Sequence, residues 1–221
     1  MHRKGSEVFV IDICGTIFRS NTTLDFMKFF WGDRLVVKLL FSLPFRVFNR
    51  LMYHLFRLEP LRMFLIYRLK GMHKKELLQK ASLFYEKYLS SRMNSEVIDL
   101  IDSKRKEGYT LVLLSATLDV IAAVVSEKMH IPLCLSSQLE YSSDEVCMGR
   151  LKLDLLANKL DVLASQVAQS PYGGVVTDNY TDSQLIEVSH DSYLVCYGES
   201  ESKWNNYLTK QTIERCHYIK V

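Results

Sequence analysis

The chain has 221 residues, 48% of them hydrophobic and 24% charged, which excludes a disordered, collagen-like or low-complexity protein and allows one sizeable domain, with or without a large insertion. Its five cysteines are scattered, with no CxxC pair and no Cys/His cluster at zinc spacing, so neither a disulfide framework nor a structural zinc is implied and a reducing, cytoplasmic setting is expected. The formal net charge of +3 conceals an asymmetry, because residues 26–75 hold eleven Lys and Arg against only Asp33 and Glu59, a net +9 that leaves −6 for the rest.

Met1-His2-Arg3-Lys4 lacks the layout of a signal peptide. Glu7–Ile13 is a short β-rich run that reads as a buried strand entering a loop at Cys14-Gly15-Thr16. From about Asp25 to Arg92 the pattern is helical, with Pro44, Pro60 and Gly71 as breaks. No apolar run there reaches the ~20 residues of a spanning helix, since Lys38, Pro44 and Arg46 interrupt the best candidate. Asn94 caps the next predicted helix, which stops at Gly108. Tyr109–Leu114 is a second buried strand that delivers Ser115-Ala116-Thr117 to its carboxyl end, and Leu118–Met129 is a helix ended before Pro132. Leu133–Leu135 is expected as a third strand, followed by an irregular, hairpin-like stretch and a helix over Leu155–Gln169. Gly173-Gly174 introduces the strand Val175–Thr177, then come a helix over Ser183–Val188 and a last strand near Tyr193–Cys196. Lys203–Val221 carries no usable pattern.

Strands alternating with helices predict an α/β fold with a parallel sheet. Ligands of such sheets sit beyond the carboxyl ends of the strands, the kind of position where Asp12, Ser115 and Asp178 all fall.

Asp12-Ile13-Cys14-Gly15-Thr16 resembles the first motif, DxDGT, of the haloacid dehalogenase superfamily. Its other motifs follow in order: Ser115 ending a strand, Lys159 opening a helix, and Asp178 with Asp182 after a further strand. The stretch from Ser136-Ser137-Gln138-Leu139-Glu140 through Gly149-Arg150-Leu151 to Lys159 is similar to the phosphoserine-phosphatase-like branch. The resemblance covers residues 5–18 and 94–197. It implies a Rossmann-like core over residues 1–18 and 93–221, with residues 19–92 as an inserted, all-helical cap.

The same resemblance assigns roles. Asp12 is the expected nucleophile, forming an aspartyl-phosphate, and also a ligand of Mg²⁺, the implied cofactor. Asp178 is the second carboxylate ligand, Cys14 offers its backbone carbonyl, and Asp182 is an additional acid at or behind the metal. Ser115 and the backbone around Ala116 hold a phosphoryl oxygen, and Lys159 neutralises charge on the phosphoryl group and on Asp12.

One position departs from the pattern. The family's phosphatases carry an acid–base Asp two residues after the nucleophile, where this chain has Cys14. General acid–base help of that kind is worth roughly 10²–10⁴-fold. The expectation is therefore a phosphohydrolase that is slow or selective for good leaving groups, acting on a phosphorylated small molecule or a lipid-linked phosphate. Two alternatives are a weak or inactive relative that binds a phosphorylated ligand, and a phosphotransferase using the same phosphoenzyme. Thr177 and Asn179 are milder departures, at positions where this branch commonly has Gly and Ser.

The basic insertion would draw anionic substrates. With Trp31, Phe45, Phe48, Tyr53 and Phe56 among its cations, it is also a candidate for peripheral contact with an anionic membrane. No nucleic-acid motif accompanies the charge, so no nucleic-acid partner is expected.

Overall fold

The structure is a computed structural model, described for residues 7–32, 60–156, 158–167, 171–198 and 201–221. Phe45, Phe48, Tyr53 and Phe56 lie outside the described residues.

The apolar run after Glu7 forms β1 (Val8–Ile11), all four of whose residues are buried. The other strands are β2 (Thr110–Leu118), β3 (Leu133–Tyr141), β4 (Cys147–Leu153), β5 (Tyr172–Thr177), β6 (Ser189–Cys196) and β7 (Cys216–Lys220). They form one sheet in the order β4-β3-β2-β1-β5-β6-β7. Every pairing is parallel except β3 with β4. Two-residue alternation along β1 splits the core between the faces of the sheet: Phe9 and Ile11 join one cluster, Val8 and Val10 the other. The central strand β1 packs closely on β5, where Phe9 lies opposite Gly174 and a Cβ on that glycine would run into the Phe9 ring.

On the Phe9 face lie α4 (Ser95–Lys106) and α5 (Asp119–Met129), through Val97, Ile101, Ile121 and Val125. On the other face lie α6 (Lys159–Gln166) and α7 (Ser183–Glu187), through Leu163, Leu185 and Ile186, together with the fully buried Trp204. A short helix, α8 (Lys210–Glu214), precedes β7.

The residues between β1 and β2 include α1 (Thr22–Trp31), α2 (Pro60–Tyr67) and α3 (Lys74–Phe84), and their buried Phe26, Leu65, Leu77 and Phe84 extend the Phe9-side core. This segment leaves and rejoins the sheet domain through paired backbone: Arg19 N–H donates to the Arg92 carbonyl (2.9 Å) and Asn94 N–H to the Ile17 carbonyl (2.8 Å).

Several elements differ from the sequence reading. The strand expected over Leu133–Leu135 runs on to Tyr141, with Ser136 and Ser137 still paired to β2 and the rest paired to β4 as a hairpin. The helix expected from Leu155 begins only at Lys159. Upstream of it the Leu155 N–H is taken by Ser137 Oγ (3.0 Å) and the Leu156 N–H by Asp154 Oδ1 (3.0 Å), which turns the chain before a helix can start. β7 was not anticipated at all. Finally, Asn94 has N-cap backbone geometry, but its side chain makes no capping bond and its buried Nδ2 has no partner.

Candidate active site

Asp12 follows the last residue of β1, so the central strand carries its carboxylate to the carboxyl edge of the sheet. There it is buried, with Oδ1 accepting the Ile13 N–H (2.8 Å) and Oδ2 the Lys159 ammonium (2.9 Å). Lys159, the first residue of α6, also donates to Asp182 Oδ2 (2.7 Å). Burial alone would lower the pKa of that ammonium, but the Asp12 and Asp182 carboxylates outweigh it and raise the value, so the lysine stays charged. Asp182 was expected at the metal. Its Oδ2 receives both Lys159 and the Thr177 hydroxyl (2.7 Å), which makes it a brace for the lysine. Thr177, at a position noted only as a departure, is therefore a working part of the network.

Asp178 lies beyond the end of β5. Thr16 holds it twice, donating to Oδ1 (3.1 Å) and accepting its backbone N–H (3.0 Å). Burial and then the charge of Asp12 push the Asp178 carboxyl up to about 7. The turn that brings Thr16 there needs Gly15, which has φ +71° and whose space a Cβ would share with the Asp178 carboxylate. The Tyr197 hydroxyl secures the same turn by donating to the Gly15 carbonyl (2.7 Å).

Cys14 is partly buried, and its thiol points at the Ser20 carbonyl (3.4 Å). Burial, followed by the charges of Asp12 and Asp178, pushes the thiol up to about 12, so it is protonated at neutral pH and unable to act as a base.

Ser115 and Ala116 occupy an irregularity rather than a strand end. β2 pairs with β3 at Ser115↔Ser136 and again at Leu118↔Ser137, which leaves Ala116 and Thr117 looped out of the ladder as a bulge. Inside it Ser115 Oγ and Thr117 Oγ1 are hydrogen-bonded (3.0 Å), and Thr117 Oγ1 also contacts Thr22 Oγ1 of α1 (2.7 Å).

Residues 9–185 match the family model described as haloacid dehalogenase-like hydrolase. The chain belongs to this family. No curated protein matches it. Among solved structures, this haloacid dehalogenase-like chain is similar to a protein of unknown function from Bordetella pertussis Tohama I, with 14% identity, a TM-score of 0.75, and coverage of 97% of this chain and 98% of that one. It is also similar to phosphoserine phosphatase in a phospho-aspartyl intermediate analogue form (13% identity, TM-score 0.63, 99% and 94% coverage). A third is cytosolic 5′-nucleotidase IIIB bound to cytidine (11%, 0.56, 97% and 80%). These likenesses show a shared fold.

The side chains here that could hold a cation offer hard oxygens, the Asp12 and Asp178 carboxylates. Among the described residues no three His, Cys, Asp or Glu side chains gather into a metal cluster, so an ion here would rest on two carboxylates, backbone and water. That donor set fits Mg²⁺, which commonly takes one or two carboxylates and keeps its waters. Burial and the Asp12 charge raise the Asp178 carboxyl despite the lowering influence of Lys159, so a further cation between the two carboxylates would be electrostatically favoured.

Lys159→Met should expose how much the network depends on its one ammonium. With Asp12 and Asp182 left buried and unpaired, a loss of about 3–5 kcal/mol is expected in urea unfolding at pH 8. A variant within 1 kcal/mol of the parent would show that the ion pairs are dispensable to the fold.

Proposed function

We propose that this haloacid dehalogenase-like hydrolase is a Mg²⁺-dependent phosphomonoesterase that works through a phosphorylated Asp12. The reading rests on one observation: Asp12, Lys159, Asp178 and the Ser115 bulge meet at one edge of the sheet, with Lys159 and Asp182 joined in a buried ion-pair network. Asp12 would attack phosphorus as the bond to the leaving oxygen breaks. Lys159, held charged by Asp12 and Asp182, would offset negative charge during that transfer. The Ser115 hydroxyl and the bulge backbone would orient a phosphoryl oxygen. Mg²⁺ on Asp12, Asp178 and the Cys14 carbonyl would supply charge neutralisation when bound.

No carboxyl stands at position 14 to protonate the leaving oxygen, and the Cys14 thiol is bonded to Ser20. Aryl phosphates and other esters with good leaving groups are the favoured substrates, and water should release the phosphoenzyme slowly. The test is Mg²⁺-dependent phosphate release from an aryl phosphate alongside an alkyl phosphate panel. Inertness toward every ester would favour the second reading, a relative that binds a phosphorylated ligand; the same thiol–Ser20 bond supports it. Transfer of the phosphoryl group to an added alcohol would identify a phosphotransferase.

Residues 19–92 act in this reading as a cap, because α1 and α2 touch the phosphoryl-binding bulge through Thr22–Thr117 (2.7 Å) and Arg62–Ala116 (3.0 Å). No helix of the described residues is long and apolar enough to cross a membrane. The outward face of α2 is nevertheless apolar, with Met63 60%, Phe64 38% and Tyr67 57% exposed, and exposed Arg68 and Lys70 lie beside it. Such a face favours peripheral contact with anionic lipid. Flotation with anionic vesicles at low salt should recover the protein, while neutral vesicles, or the Met63→Ser/Phe64→Ser/Tyr67→Ser variant, should not. Equal failure with both vesicle types would remove the lipid contact and leave a small-molecule substrate in water.

A further inference from the structure

Arg62 sits in the first turn of α2, yet its side chain runs inward and the residue is only 7% exposed. Its guanidinium makes three bonds: Nη1 to Asp154 Oδ2 (2.6 Å), and Nη2 to the Ala116 carbonyl (3.0 Å) and Ser137 Oγ (3.2 Å). The partners are themselves tied together. Ser137 Oγ donates to Asp154 Oδ1 (3.2 Å) and accepts the Leu155 N–H (3.0 Å), while the same Oδ1 accepts the Leu156 N–H (3.0 Å).

One cationic fork from the insertion thus gathers the bulge next to Ser115, the end of the parallel part of β3, and the 154–156 segment that leads into Lys159. A lysine is a single point charge and could not span this set, whereas the planar guanidinium can. Burying a charged group against a backbone carbonyl is costly unless its donors find acceptors, and here three of the five N–H donors do. An apolar side chain would fill the space but leave the Ala116 carbonyl and the Asp154 carboxylate without this partner.

We propose that Arg62 is a positioning residue: seating of the cap on the core sets the spacing between the Ser115–Thr117 bulge and Lys159, the two elements that grip the phosphoryl group. This rests on the phosphomonoesterase reading above and adds to it the means by which the cap controls the site.

The test is equilibrium binding of beryllofluoride in the presence of Mg²⁺, a phosphoryl mimic that needs no turnover. It is read by titration calorimetry for the parent, Asp12→Asn, Arg62→Met, Arg62→Lys, Asp154→Asn and the Arg62→Met/Asp154→Asn pair, with Tm measured for each. Arg62→Met is expected to weaken binding about ten-fold or more, Arg62→Lys and Asp154→Asn by less, and the double variant no further than Arg62→Met alone. Purely structural service by Arg62 would lower Tm and leave the affinity at the parental value, which overturns the proposal. Should Arg62→Met not fold, Arg62→Lys decides in its place, and parental affinity in that variant overturns the proposal equally. A parent that binds no beryllofluoride, or an Asp12→Asn protein that binds it as well as the parent does, sinks the phosphoenzyme reading itself. Binding that depends on Asp12 but is indifferent to Arg62 sinks only the present inference.

Discussion

Asp12→Asn should abolish Mg²⁺-dependent phosphate release from an aryl phosphate, a loss on the order of 10³–10⁶-fold, as when an enzyme loses its covalent nucleophile. The substitution is nearly isosteric. Its amide oxygen can still accept the Ile13 N–H, and Lys159 keeps its bond to Asp182. One ion pair is lost, but so is a charge that raises both Asp178 and Asp182, and the two effects oppose each other in stability. The variant is therefore expected to remain folded, with a Tm near that of the parent, so that the loss is chemical. Acid quenching of the parent during turnover should trap phosphate on the protein, and the Asn variant should trap none. Undiminished turnover by Asp12→Asn would transfer the nucleophile's role elsewhere and end the aspartyl-phosphate account.

The parts of the molecule that were readable are those with a local cause. β1, β2 and β5 are continuous apolar runs, the mark of parallel strands buried on both faces, and Gly108 ends α4 at φ +87° as a glycine after a helix commonly does. Asp12 and Asp178 were legible as strand-end polar residues for the same reason, whereas Ser115 lies at a bulge within β2 rather than at its end. What escaped the sequence depends on partners distant along the chain. Ser136-Ser137-Gln138 has weak strand character and extends β3 because β2 pairs with the two serines and β4 folds back on Gln138 and beyond. The short strand Cys216–Lys220 at the sheet edge buries only Ile219 among exposed and half-buried residues, and it exists because β6 offers it a ladder. Arg62 was one of eleven cations in the basic stretch, and nothing in its neighbours marks it as turned inward. Thr177 looked like a mild irregularity until Asp182 was seen to turn back onto it. Asp182 is expected from its place in a motif as an acid at or behind the metal, and its bond to Lys159, 23 positions away in sequence, adds a partner that the motif does not name. Spacing along the chain identifies which residues gather; it does not divide them among the bonds they make once gathered.

Cys14→Asp should accelerate phosphorylation of Asp12 by alkyl phosphates roughly 10²–10⁴-fold, the usual value of a positioned general acid–base group, with a much smaller gain in that step for aryl phosphates, whose leaving group needs no proton and whose turnover gains through faster release of the phosphoenzyme. The environment that suits a thiol at this position also suits a working carboxyl. Burial, then the charges of Asp12 and Asp178, keep the Cys14 thiol protonated, and the same influences would lift a carboxyl above its ordinary value. A raised carboxyl is still protonated near neutral pH and can donate to the departing oxygen. Once it has given up that proton it can accept one from the attacking water, so both halves of the reaction should speed up and the trapped phosphoenzyme should be shorter-lived. The gain should fade as pH rises through the new group's pKa, because the acid form is then lost. The variant will also place a third carboxyl beside two others, so a lower Tm without Mg²⁺ and a larger rise on adding it are expected. Alkyl rates unchanged from the parent, with an equally long-lived phosphoenzyme, would show that the missing carboxyl is not what limits this site. The bottleneck would then lie in how the bulge and Lys159 are set around the phosphoryl group.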